Sequence, residues 1–413
     1  MAIPQTIVQI GGSGTAFFDV TSYATSVTIS RGLSRQLDRF TTGTANLTFT
    51  NQTRIFEPEN TYSTLYPYIK PKKNMRISTV VAGSTAVQFT GRISDWDFSY
   101  QTEGAAVASA SCVDGFDEFS GQLISGHTAV AQKTGQRIAA ILDRPEVDWP
   151  LANRSLDTGS QTLQADVIEE GRDVLEYLNI VSASEPGLLY MTKENYIEFK
   201  DRTAGSINTA YFGATVVVFS TQANDEQIGY TDIAFTYGSD FLYNRVSVSS
   251  LGIETQVGNN ATSQSEYGVN NLELNGLLLP LGAQGTSDAQ ALAGYYSLIY
   301  GEPDFRIDTI SVNLGALNAT KQSQVLDIDI GDTIRVYFYP TVAVSSIPTV
   351  IDENLIVIGI RHNIRPDQHT MDFFLQSTTF QAFVFGFSEE PTEYPNGYSL
   401  FAGDGVIGSP FGL

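Results

Sequence analysis

Cysteine is nearly missing from this chain. Cys112 is the single one among 413 residues, which excludes an internal disulfide and a thiolate metal cluster. It sits in Ala108-Ser109-Ala110-Ser111-Cys112-Val113, a strand-like run, where a buried small hydrophobe is expected. Bases are scarce too: 23 Lys and Arg stand against 45 acids, a formal charge of −22. Such a surface repels duplex nucleic acid, because phosphate binding depends on Lys and Arg releasing counterions. No apolar run reaches the ~18 residues of a membrane-spanning helix, so no span is expected. Met1 to Thr6 shows neither a basic n-region nor an apolar h-region, so no signal peptide is expected either.

Catalytic signatures are also absent. The sequence holds no Gly-x-Ser-x-Gly elbow, no His-Glu-x-x-His and no P-loop pattern, and we expect no enzyme activity and no cofactor. Three histidines are present, His127, His362 and His369. The last two flank the polar turn Arg365-Pro366-Asp367-Gln368 and can approach each other across a hairpin, with Asp367 or Asp372 completing a metal-like set. Solvated turn histidines are the reading we prefer, and no metal is expected. Asp327-x-Asp329-x-x-Asp332 opens like a calcium loop, but the twelfth position is Phe338 where a bidentate Glu is needed. These acids read as strand-edge carboxylates.

What the chain does have is glycine (36), phenylalanine (24) and tyrosine (20), with 42% hydrophobic but only 16% charged residues. Short strands joined by tight turns require that balance. The runs Thr6–Ile10, Ser26–Ser30, Asn46–Thr50, Met75–Val81, Val87–Trp96 and Val107–Val113 are separated by Gly, Asn, Pro or Ser clusters. They predict a first antiparallel β-barrel over residues 1–122. An α+β subdomain follows over 123–230. It has helices at Thr134–Leu142 and Asp166–Ser182, then strands Gly187–Met191 and Tyr196–Asp201 around the turn Lys193-Glu194-Asn195. A second barrel spans 231–380, with a helix-containing insertion at about 251–305. Ser287 is the expected N-cap of that helix and Gly301 its stop. Residues 381–413 form an extended C-terminal arm without periodicity. The fold class is therefore mainly β with an α+β insertion.

The two barrels look like one module used twice. Ile69-Lys-Pro-Lys-Lys-Asn-Met-Arg-Ile77, Phe89-Thr-Gly-Arg-Ile93 and Ala106–Ser111 are echoed by Ile328-Asp-Ile-Gly-Asp-Thr-Ile-Arg-Val336, Val357-Ile-Gly-Ile-Arg361 and His369–Leu375. Gly91 and Gly359 are read as matching bend points, where a residue lacking Cβ is needed. Three copies of a chain with two similar barrels make a ring of six similar units.

Two groups of residues read as partner surfaces. Arg31, Arg35 and Arg39, with Lys70, Lys72 and Lys73, give the first barrel a positive face. It either attracts an acidic partner or neighbouring copy, or pairs internally with Asp38 or Glu57. Phe385, Phe387, Tyr398 and Phe401 are large apolar groups in an arm with no local core, each able to bury about 1.5–3 kcal/mol against a neighbour.

The block from Ser30 to Pro58 carries the three arginines, an alternating strand, and then Asn51-x-x-x-x-Phe56-x-Pro58-x-Asn60. It resembles the opening of tail hub proteins, often labelled minor tail proteins, of long-tailed bacteriophages. The layout of two barrels, with one insertion between them and one inside the second, resembles the baseplate hub fold of the same group. The resemblance implies a homotrimeric, pseudo-six-fold ring at the distal tail tip. Its partners would be the distal tail protein or tail tube protein, the tape measure protein, and a central tail fibre or tip protein. DNA would contact it only in transit, and assembly would occur in the host cytoplasm before incorporation in the virion. A tail-tip adhesin binding host glycans, or a tail-associated wall hydrolase, are the alternatives.

Overall fold

The computed structural model describes residues 3–11, 16–35, 37–102, 104–202, 216–340 and 350–377. Phe385, Phe387, Tyr398 and Phe401 lie outside the described residues. The first part of the chain supplies seven strands: β1 (Gln5–Gly11), β2 (Phe17–Asp19), β3 (Ala24–Gly32), β4 (Thr44–Thr50), β5 (Asn74–Val81), β6 (Ser84–Tyr100) and β7 (Ala106–Val113). They pair in the order β3-β4-β7-β6-β5-β1-β2, all antiparallel. Alternation explains the sheet. Val27, Ile29, Leu47, Phe49, Ala108, Ala110 and Cys112 are all buried in one core, while the residues between them face outward.

The Asn51–Asn60 motif builds the plug of that core. Phe56 is fully buried and stacks on Phe49, with ring centroids 4.7 Å apart. The buried Asn51 side chain accepts a hydrogen bond from the Phe56 amide at 3.1 Å, and the Asn60 amide donates to the Arg54 carbonyl at 2.8 Å. The first of these satisfies the Phe56 amide where water cannot reach, and the second braces the exposed rim of the loop.

Between the two sheet halves lies the α+β unit. It contains α1 (Thr134–Leu142), α2 (Val174–Ser184) and the hairpin β8 (Leu188–Met191) and β9 (Ile197–Lys200). The helix expected over Asp166–Ser182 starts later. Gly171 takes φ +86°, Arg172–Asp173 pairs with Leu123–Ile124, and only then does Asp173 cap α2 by accepting from the Glu176 amide. Capping and a left-handed glycine overrode an apolar stripe.

The chain then supplies β10 (Val217–Ser220) and β11 (Asp232–Thr236). A separate sheet of β12 (Arg245–Ser250), β13 (Ile253–Asn259) and β14 (Asn271–Leu277) follows, covered by α3 (Ala283–Ile299). Ser287 lies inside α3, whose N-cap is Gly282. The main sheet resumes with β15 (Arg306–Asn313), the helix α4 (Ala319–Asp327), β16 (Thr333–Phe338), β17 (Ile351–Arg365) and β18 (Gln368–Ser377). Their order is β11-β15-β18-β17-β16, again antiparallel, with β10 added in parallel to β16.

Neither half closes into a barrel among the described residues. The edge of β3 that would close the first half is occupied by β17 of the second, from Val27↔Ile364 to Gly32↔Gly359. One continuous sheet therefore runs through both halves. At the join Gly32 has φ +79°, and a Cβ on Gly359 would meet the Leu33 carbonyl at 2.0 Å. Two glycines face each other because the backbones leave no room for a side chain.

Truncating the plug tests this packing. Phe56→Ala lowers the unfolding free energy by about 3–5 kcal/mol in urea titration, whereas Tyr62→Ala, at a 98% exposed site, stays within about 0.5 kcal/mol.

Candidate assembly surface

The two halves repeat each other strand for strand. β3, β4, β7, β6 and β5 occupy the places of β11, β15, β18, β17 and β16. Register agrees as well as order. The Lys72 amide donates to the Ile93 carbonyl and the Ile93 amide to Lys73; the Gly331 amide donates to Val357 and the Val357 amide to Asp332. Both long strands then bulge at the same step, between Ile93 and Asp95 and between Val357 and Gly359. Met75-Arg76-Ile77 thus corresponds to Ile334-Arg335-Val336, as the sequence echo has it. The glycines do not correspond: Asp95 stands where Gly359 does, and Gly91 stands where Leu355 does. Each glycine answers its own close approach, Gly91 to the Val113 carbonyl and Gly359 to Leu33.

Two four-stranded blocks, β11-β15-β18-β17 and β3-β4-β7-β6, lie side by side in one row. Their outward face is polar. A line of opposed residues crosses seven strands: Asp95, Ser111, Asn46, Thr28, Asn363, Thr370 and Asn313. Short hydroxyls and amides dominate it, tied laterally by Ser111 to Asn46 (3.2 Å) and Ser311 to Asp372 (2.7 Å). Asp95, Asp97, Asp232 and Asp372 outnumber Arg92, Arg361 and Arg365 by one on this face. Periodicity alone marks each of these residues as outward; only the pairing reveals that they form one surface.

Arg31 is not on a surface. Its side chain is 2% exposed and donates to Asp329 at 2.8 Å and to the Met191 carbonyl at 3.4 Å. It therefore ties the first half, the α+β unit and the second half together. Neither Asp38 nor Glu57 is its partner. Lys193 completes the junction by donating to the carbonyls of Leu326 and Asp327. Burial alone would raise the Asp329 carboxyl, but the charges of Arg31 and Lys193 and the Ile330 amide hold it below its ordinary value. Burial raises Asp332. Asp329 and Asp332 are thus structural, while Asp327 is exposed and lends the junction only its backbone carbonyl; no group of three or more metal-ligating side chains occurs among the described residues.

Arg35 is exposed and reaches Asp240 at 3.3 Å, and Arg39 is exposed. The spacing of four places no common face because Arg31 belongs to a strand and the other two follow it in a loop. Lys72 pairs with Asp117 at 2.7 Å. The two histidines depart from the solvated reading. His362 Nδ1 and His369 Nε2 lie 3.2 Å apart and both rings are buried. Asp372 sits on the opposite, polar face. Cys112 is buried, and burial pushes its thiol up.

Two solved structures share the overall fold. A tail protein from Neisseria meningitidis MC58 superposes with a TM-score of 0.59 at 11% identity, over 92% of this chain and 98% of that one. The 43 kDa tail protein of prophage MuSo2 from Shewanella oneidensis gives a TM-score of 0.56 at 13% identity, over the same shares. The chain has the fold of phage tail proteins. No family model and no curated protein matches it. At such identities the shared fold, with its covered length, is what the likeness establishes.

Two measurements probe the junction. Arg31→Ala leaves Asp329 without its main counter-charge and costs about 3–5 kcal/mol of stability. Burial lowers both imidazoles, His369 to about 4, below the ~6.5 of an unfolded chain. Their contribution is full above pH ~6.5 and is lost progressively as pH falls below it, down to about 4 for His369. Urea midpoints measured from pH 7 to 4.5 should fall less steeply in His362→Leu/His369→Leu than in the parent.

Proposed function

We propose that this chain is a structural virion protein, the hub at the distal end of a bacteriophage tail. It works as a homotrimer in which each subunit contributes two equivalent blocks. Three subunits then present a pseudo-six-fold ring to the distal tail protein or tail tube, and three-fold symmetry to a central fibre or tip. The observation that carries this reading is the repeated four-strand block, equal in order and register, inside one chain. A symmetric ring partner explains why a fold would keep two copies whose side chains have diverged. The tape measure protein belongs on the same axis. On this reading the α+β unit and the β12–β14 sheet are insertions that decorate the ring, and residues 381–413 are an arm that docks on a neighbour. Arg39 is exposed and available to an acidic patch on a partner, whereas Arg35 is already paired with Asp240.

The polar face suits the wall of a passage. It is smooth, hydroxyl-rich and weakly acidic, so DNA in transit finds few cations to hold it. Screening confines that repulsion to within ~8 Å of the wall at physiological salt.

Light scattering of the purified chain should return a mass three times that of the monomer, and class averages should show three-fold particles with six similar lobes around a bore. A monomer at every concentration contradicts the ring. Virions carrying Asp95→Lys/Asp97→Lys should eject DNA more slowly; unchanged ejection removes these acids from the passage wall.

A further inference from the structure

A strand inside a sheet has both edges paired, and the ends of a row do not. Within this chain the last strand of one block, β17, meets the first strand of the other, β3. The equivalent strands at the outer ends of the row are β6 and β11. β5 and its preceding residues occupy the outer edge of β6 only as far as Ile93. From Ser94 to Tyr100 that edge has no strand partner among the described residues, and β11 pairs with β15 alone. Among the described residues no strand covers either edge. Asp95, Asp97, Ser99, Asp232, Ala234 and Thr236 are exposed, and Tyr100 and Tyr237 are 50% and 68% exposed. Neither segment contains proline, a usual guard against unintended pairing.

We infer that the β6 edge of one copy pairs antiparallel with the β11 edge of the next, in the register that the chain already uses internally. Val27↔Ile364 and Thr28↔Asn363 define that register at the β3–β17 join. Carried to equivalent positions, Tyr100 faces Ile233 of the next copy and Ser99 faces its Ala234. The match keeps side-chain parity. Ser99 and Ala234 stand on the polar face, and Tyr100 and Ile233 on the apolar one. A slip of one residue would turn Tyr100 and Trp96 onto the polar face, which the buried pattern forbids. Apolar area is ready at the seam: Phe235 stacks on Phe305 at 4.7 Å, and Phe305 is 55% exposed. Six alternating joins, three within chains and three between them, close the sheet into a ring with no free edge. This inference rests on the trimeric reading above and adds to it the contact, the partner strand and the register.

Because Cys112 is buried and alone, introduced cysteines report cleanly. Ser99→Cys/Ala234→Cys, treated with a short thiol cross-linker, should lose most of its monomer band on a denaturing gel to covalent dimer and closed trimer. Each single variant stays monomeric. Ser99→Cys/Asp232→Cys, two residues out of register, should cross-link about fivefold less, since diagonal neighbours lie farther apart than directly opposed ones. Light scattering without cross-linker runs beside it. A trimer that cross-links equally through Asp232, or not at all, overturns the register and leaves the ring reading intact. A monomer that does not cross-link overturns both.

Discussion

The pairing of β3 with β17 is the contact on which the rest depends. It fuses two chain halves, distant in sequence, into one sheet, and it removes the edge that would let either half close on itself. Gly32 and Gly359 allow the backbones to approach there. Arg31 then fastens the α+β unit and the Asp329 loop to the same point. A buried cation of this kind is costly to desolvate, so its place at the meeting of three regions argues for specificity of docking more than for added stability. The histidine pair lies on β17 itself and on β18 beside it, with His362 opposite Ile29 of β3 and both rings buried.

Repetition within the chain has a physical consequence for assembly. Two blocks of equal strand order meet through one kind of edge and leave the same kind of edge without a strand partner at each end among the described residues. Closed symmetry is the economical way to satisfy such ends, because an open row would otherwise keep adding copies. Long free edges on a monomer are an aggregation hazard; on a ring they disappear.

Much of the sheet was legible in the sequence because alternation of apolar and polar residues survives divergence. The six runs read from that alternation, Thr6–Ile10 to Val107–Val113, each overlap a strand of the main sheet, while β2 and β10 went unread, and Met75-Arg76-Ile77 with Ile334-Arg335-Val336 marked a true equivalence. The Asn51–Asn60 motif pointed to a specific loop, and it proved to be the plug of the first core. Other features were hidden for identifiable reasons. The Gly91–Gly359 match was a coincidence of composition, since the bulges set the real correspondence at Asp95. The helix stripe at Asp166–Arg172 gave way to Gly171 and the Asp173 cap. Arg31 looked like one of three surface cations because sequence spacing cannot show which side of a strand meets a distant carboxylate. His362 and His369 were expected to be solvated, yet alternation along β17 and β18 turns both inward beside Ile364 and Met371. The assembly surface itself was invisible, because it exists only once non-adjacent strands are paired.

If the ring forms as proposed, the relation between the two blocks inside a chain equals the relation between blocks of neighbouring chains. An electron cryo-microscopy structure of the assembled protein measures it directly. Superposing β11-β15-β18-β17 on β3-β4-β7-β6, within a subunit and then across the subunit boundary, should give two rotations of about 60° around one common axis. Two unequal rotations, or axes that do not coincide, would contradict it.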